Sequence, residues 1–238
     1  MKISILLPYK ENFSPEYPGA VSIFINSVTK LSKYKKLITI FGNTNYNKRY
    51  TLNYKNIPLD KKFLTSQSSD YVKKFVILEK KNPADIIEVH NRPIYIYYLN
   101  QLNSKLVLYF HNDPLTMNGS KTRYERLKLL DNLEKIIFVS KWVQARFFID
   151  LDKKLLNKTE IVYPSIHRLK KKFKKKNNII FVGKLNKSKG YDIYKSAILK
   201  ILDEFKDWKA YSIGDESRDR PVITHNNHME LGFLKHKD

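Results

Sequence analysis

Residues 179–190 read Ile179-Ile180-Phe181-Val182-Gly183-Lys184-Leu185-Asn186-Lys187-Ser188-Lys189-Gly190. The apolar run Ile179 to Val182, preceded by Asn178 and ended by Gly183, is the pattern of a strand over Asn178 to Val182. Gly183 lets the chain turn closely at its end. After the loop a helical period begins, with Tyr194, Ala197, Ile198, Ile201, Leu202 and Phe205 as its apolar positions. Strand, loop and helix in this order, repeated, build a parallel sheet with helices packed on it. The loop also has a chemical logic. Lys184 and Lys189 bring cations to a place that a helix N-terminus makes positive as well, which suits a diphosphate. It is not a Walker loop, because the residue order is wrong and the closing Lys-Ser/Thr pair is missing.

The same alternation runs upstream. Apolar runs at Ile3 to Leu7, Leu37 to Phe41, Ile86 to Val89, Leu106 to Phe110, Ile136 to Val139 and Ile161 to Tyr163 predict strands. Between them, helical spacing predicts helices over Ala20 to Leu31, Tyr71 to Lys81, Ile94 to Leu102 and Ser120 to Leu133, and one opened by Ser140 as N-cap. The first helix places Val21, Phe24, Ile25, Val28 and Leu31 on one face; the fourth does so with Tyr124, Leu127, Leu130 and Leu133. Asn43 to Gln67 shows weak periodicity and is left without an element. Downstream, Trp208 to Ile213 and Met229 to Phe233 read as two more strands. The expected organisation is a Rossmann-like domain over 1–166, a basic linker over 167–176, and a second domain over 177–238 with about half the residues that a doubly wound nucleotide domain needs.

Composition narrows the classes. The 238 residues include 45 Lys+Arg against 23 Asp+Glu, a formal charge of +22, and no cysteine. Disulfide scaffolds, thiolate catalysis and cysteine-ligated zinc are excluded. No apolar run approaches the roughly 18 residues of a membrane span, and the apolar stretch at the N-terminus is too short for a secretory signal; the chain reads as cytoplasmic. Cations cluster once, in Arg168-Leu169-Lys170-Lys171-Lys172-Phe173-Lys174-Lys175-Lys176. That run is a solvated linker or a surface for acidic headgroups at a membrane's inner face. Nucleic acid is not an expected partner, since the aromatics fall in strands and on apolar helix faces instead of interleaving with cations.

In an open parallel sheet, ligands bind beyond the carboxyl ends of the strands. Polar residues directly after apolar strands are therefore the candidates: the loop from Pro8 to Gly19, His90-Asn91-Arg92, His111-Asn112-Asp113, Ser140, and Gly183 to Gly190. His111 could donate to a sugar hydroxyl or to developing charge, or be structural. His90 and Arg92 suit hydroxyl-rich or anionic ligands, or cap a strand end, and Asp113 fixes the proline turn that follows. His225 and His228 lack a third ligand at a suitable spacing, so no metal site is expected.

Taken in order, these segments resemble the retaining glycosyltransferases of family 4, whose GT-B fold has two Rossmann-like domains. The resemblance is carried by the first strand with Pro18-Gly19-Ala20 (where the family usually has a glycine pair), Ile86 to Asn91, Val107 to Asn112, Ile136 to Val143, Ile161 to Pro164, and most specifically Ile179 to Leu185 continuing through Lys189-Gly190. Ser212-Ile213-Gly214-Asp215 and Leu231-Gly232-Phe233 follow in family order. It implies a donor site at Gly19, Gly183, Lys184 and Lys189, with Lys184 standing where the family has arginine. It implies catalytic contact by His111, and acceptor contact by His90, Asn91 and Arg92. The implied reaction moves a hexose-type sugar from a nucleotide diphosphate to a glycan or lipid-linked acceptor in surface polysaccharide synthesis, without cofactor or metal. The family's two glutamates separated by seven residues have no counterpart, for no two glutamates stand eight positions apart. A fragment of such an enzyme is the expectation, with a sugar-binding remnant without turnover as the alternative and a basic nucleic-acid-binding protein as a third reading.

Overall fold

The computed structural model describes residues 1–51, 53–59, 66–165, 174–215 and 220–235. Most of the basic run, Arg168 to Phe173, lies outside the described residues. The chain divides into two compact units, Met1–Ile166 and His167–Asp238.

The first unit is built on a parallel sheet of seven strands: β1 (Ile3–Leu6), β2 (Ile38–Gly42), β3 (Tyr54–Asn56), β4 (Ile86–His90), β5 (Lys105–Phe110), β6 (Lys135–Phe138) and β7 (Thr159–Ile161). Their spatial order is β3-β2-β1-β4-β5-β6-β7. From β1 the chain first builds outward through β2 and β3, then returns to build the other way from β4. The order therefore reverses between β1 and β4, where crossovers diverge and leave a crevice beyond the strand ends. The helices are α1 (Ala20–Leu31), α2 (Gln67–Lys81), α3 (Ile94–Leu99), α4 (Arg123–Asn132) and α5 (Lys141–Phe147).

Alternation along the strands sends successive side chains to opposite faces. Leu6, Phe41, Ile87, Val89, Leu108, Phe110, Ile136 and Phe138 join residues of α2 to α5 in one large core. Ile5, Leu7, Ile38 and Ile40 pack instead with Val21 and Ile25 of α1 and with Phe13. The short β3, in the stretch without a sequence assignment, pairs with β2 as the edge strand.

Two helix faces differ from expectation. In α1, Val28 and Leu31 are exposed while Ser22 and Asn26 are buried, so the face is rotated from the apolar stripe. In α4, Tyr124 is exposed and Arg126 is 2% exposed. Three carbonyls explain the burial: the Arg126 guanidinium donates to the oxygens of Ser120, Lys121 and Ile149 at 3.3, 2.8 and 2.7 Å. It ties the entry of α4 to the exit of α5. Trp142 of α5 is exposed as well. Ser140 does cap α5, its hydroxyl accepting from Val143 N–H at 3.2 Å.

The second unit holds β8 (Asn178–Val182), α6 (Tyr191–Glu204), β9 (Lys209–Ile213) and β10 (His228–Gly232). The strands are parallel in the order β10-β9-β8. Its small core is Leu185, Tyr191, Ile198, Leu202, Ala210 and Ile223.

Candidate functional site

Four aromatic side chains and a carboxylate meet near the carboxyl ends of β4 and β5. The period of two puts Glu88 and His90 on one face of β4, and Tyr109 and His111 on the same face of β5, because His90 pairs with Tyr109 in the ladder. The His90 ring stacks on Tyr109 with centroids 5.2 Å apart, Tyr109 on His111 at 4.9 Å, and Phe24 of α1 meets His111 edge-on at 5.2 Å. His90 is fully buried and both its ring nitrogens are engaged. Nε2 lies 2.5 Å from Glu88 Oε1, and Nδ1 lies 2.9 Å from His111 Nε2.

The surroundings set the charges. Burial first, and the adjoining His90 second, push His111 from 6.5 down to about 3, so its imidazole is neutral over the ordinary pH range. Burial and then the Glu88 carboxylate raise the Tyr109 phenol above its usual value; its hydroxyl donates to the carbonyl of Val162 at 3.1 Å.

Asn91 adopts a left-handed backbone (φ 55°), which asparagine tolerates better than most residues. Its side-chain oxygen accepts from the N–H groups of His111 and Asn112 at 3.1 and 3.3 Å, locking the two strand ends together. Arg92 is half-buried and donates to the Asn91 carbonyl at 2.8 Å. Of the residues read from sequence as facing an acceptor, His90 and Asn91 thus spend their polar atoms inside the protein. Arg92 and His111 keep some contact with solvent.

Asp113 accepts from Leu115 N–H at 3.0 Å, fixing the turn at Pro114, and is gripped on its other oxygen by Arg146 at 2.9 Å. Burial works against its charge, yet the hydrogen bonds from Arg146 and from Leu115 N–H hold it below the usual carboxylate range.

Gly19 precedes α1 as its N-cap. The Glu11 carboxylate fills the space a Cβ there would take, and its Oε1 accepts from Ser22 N–H at 2.9 Å. The chain supplies its own anion to this helix terminus.

In the second unit, Gly183 has φ 153° and donates from its N–H to the Ile213 carbonyl at 2.9 Å. Leu185 is fully buried and anchors the loop, and Gly190, with φ 74°, caps α6. Lys184 and Lys189 are exposed and have no ion-pair partner among the described residues. Each places a cation on the loop between a strand's carboxyl end and a helix N-terminus.

Glu88 and Tyr109 were not singled out by sequence. The signal was present as spacing: Glu88-Val89-His90 and Tyr109-Phe110-His111 each repeat a polar or aromatic residue two positions apart in an apolar strand. Among the described residues no three His, Asp or Glu side chains converge to hold a cation, and no helix is long and apolar enough to cross a membrane. A cavity of about 420 Å³ lies by Thr29, Lys35, Lys36 and Ile38, at the amino end of β2 and so opposite the strand ends that carry the histidines.

A Rossmann-like parallel sheet followed by a second, smaller parallel sheet places the chain in the GT-B class of fold. Solved structures bear this out. The chain is similar to HepE of Anabaena in complex with UDP, at 15% identity and a TM-score of 0.63, over 98% of this chain and 70% of that one. It is similar to MnaA of S. aureus with UDP, at 11% identity and 0.60, over 98% and 69%. It is also similar to a Listeria monocytogenes protein described as a UDP-N-acetylglucosamine 2-epimerase, at 11% identity and 0.57, over 98% and 70%. No protein-family model matches the sequence, and no curated protein matches it either. Identities this low establish the fold and leave the reaction to the site.

Proposed function

We propose that the chain is a glycosyltransferase polypeptide that takes a nucleotide-diphosphate sugar as donor and a glycan or lipid-linked acceptor. The supporting observation is the pair of exposed cations, Lys184 and Lys189, on the glycine-bounded loop before α6, without an ion-pair partner among the described residues. The likeness to HepE, which has been solved with UDP and with UDP-glucose, supports the choice of a nucleotide sugar over other anions.

In this reading the bond from the anomeric carbon to the diphosphate breaks, and its electron pair leaves on the diphosphate oxygen. The acceptor hydroxyl forms the new bond and passes its proton to the leaving diphosphate. Negative charge grows on the leaving diphosphate, where Lys184, Lys189 and the α6 N-terminus stabilise it. Protein cations then do the work a metal does elsewhere. The family resemblance assigns His111 a contact with the sugar and Arg92 a place facing the acceptor. Retention at the anomeric carbon, action in surface polysaccharide assembly, and peripheral contact of the basic run with an anionic membrane complete the proposal, and rest on the family resemblance.

Titration calorimetry with UDP and UDP-glucose tests it. A charge-assisted hydrogen bond to phosphate is worth about 1.5–3 kcal/mol, so Lys184→Ala with Lys189→Ala should weaken UDP by more than about tenfold. Unchanged affinity in the double variant, or no binding by the natural chain, overturns the reading.

A further inference from the structure

The chain of contacts Glu88–His90–His111 has a direction, and the direction decides what His111 can bind. A carboxylate only accepts, so the proton on the Glu88–His90 contact belongs to His90 Nε2. Where that is the one proton His90 carries, its Nδ1 is bare, and the 2.9 Å contact to His111 Nε2 requires one proton between the two nitrogens. It must come from His111 Nε2. The second nitrogen of His111 is left without a proton. It has no partner among the described residues, and it is not among the buried atoms that lack one, so it meets solvent.

We infer that Glu88, acting through His90, fixes His111 as the Nε2–H tautomer, so that His111 Nδ1 is a hydrogen-bond acceptor reserved for a ligand hydroxyl. Glu88 and His90 are positioning residues; His111 makes the contact. A bare lone pair attracts an O–H and repels an anionic phosphate oxygen. The part of a ligand that meets His111 is therefore a hydroxylated ring and not a diphosphate, and His111 takes a proton-side contact from the sugar instead of donating one. Burial above all lowers the proton affinity of His111, which keeps the acceptor state in place. The stack of Tyr109 against both rings and the edge of Phe24 hold the ring planes. The choice of a sugar hydroxyl rests on the donor reading above; the tautomer does not.

The experiment is long-range proton–nitrogen NMR of the full chain labelled in its 6 histidines, near neutral pH, with His111→Gln to assign the signal. The expected spectrum shows His111 with a protonated Nε2 and a pyridine-type Nδ1. In Glu88→Ala, His90 is released to donate from Nδ1, and the His111 Nδ1 signal should shift toward the pyrrole-type position. Glu88→Gln keeps an acceptor oxygen for His90 and should restore the natural pattern, which a merely space-filling role for Glu88 would not require. A protonated Nδ1 on His111 in the natural chain overturns the inference without any variant having to fold, as it would for a doubly protonated His90. So does a Glu88→Ala spectrum identical to the natural one. UDP-glucose should then move the His111 Nδ1 signal where UDP alone does not; binding of UDP-glucose without that shift overturns the hydroxyl contact. Failure to bind UDP or UDP-glucose sinks the donor reading and with it the sugar hydroxyl, while the ligand-free spectrum still decides the tautomer.

Discussion

Gly214 lies against the backbone of Gly183 so closely that a Cβ on it would sit 1.7 Å from the Gly183 carbonyl oxygen. Both glycines have positive φ, 147° and 153°, and they end the neighbouring strands β9 and β8. The contact is backbone to backbone, so no side chain can swing aside to relieve it. It fixes the start of the loop that presents Lys184.

Gly214→Ala should therefore cost about 3 kcal/mol or more in the second unit. The local effect is readable by hydrogen exchange. The Gly183 N–H, bonded to the Ile213 carbonyl in the natural chain, should exchange faster by a factor of about one hundred or more. Exchange at the β4 and β5 strand ends should not change.

Lys184 stands where the resembling family has arginine, and it is exposed without an ion pair among the described residues. An ammonium meets phosphate as a point charge, whereas a guanidinium can make two parallel hydrogen bonds. Lys184→Arg should tighten UDP binding by about tenfold, equivalent to about 1.4 kcal/mol. Calorimetry on the two proteins measures it, and a lysine outside the diphosphate's reach would leave the affinity unchanged.

Most strands were legible because a buried parallel strand is apolar on both faces and needs no partner to be recognised. Asn178–Val182 falls on its predicted residues, and α1 does too, but Ile180 and Val182 are exposed, so β8 is covered on one face only. The edge strand β3 escaped because Tyr54-Lys55-Asn56 faces solvent on most of its surface and has no apolar signature. Helix faces were harder. Arg126 is buried for the sake of three carbonyls brought together only by the fold, and Val28 and Leu31 point away from the core despite their apolar spacing. At the candidate site, the histidines were visible as polar residues ending apolar strands. Their engagement with one another was not, since it depends on the pairing of β4 with β5 across 21 residues of sequence.

Arg126 offers a stability test away from any ligand. Methionine there keeps much of the volume and removes the donors to Ser120, Lys121 and Ile149. Leaving one buried and two part-buried carbonyls without partners should cost about 2–4 kcal/mol, which lowers the thermal midpoint by roughly 5–15 °C in a chain of this size. Differential scanning calorimetry reads it, and a surface role for this arginine would give a shift too small to see.

The histidine cluster also sets an acid limit on stability. His111 has an unfolded value near 6.5 and a folded value of about 3, so between these two pH values the unfolded chain binds a proton that the folded chain refuses. Stability linked to His111 is present above about pH 6.5 and is lost as pH falls toward 3, with a slope of up to about 1.4 kcal/mol per pH unit. His228 is lowered in the same sense, by burial first, and adds to the slope from the second unit. Asp113, held below its usual value against the pull of burial by the hydrogen bonds of Arg146 and of Leu115 N–H, adds a loss only at the acid end of the range. Urea titrations at a series of pH values separate these contributions. His111→Gln removes one titrating group and should flatten the profile between pH 6 and 4 while leaving the steeper fall below 4. An unaltered profile in that variant would mean that the His111 ring takes up its proton as readily in the fold as out of it.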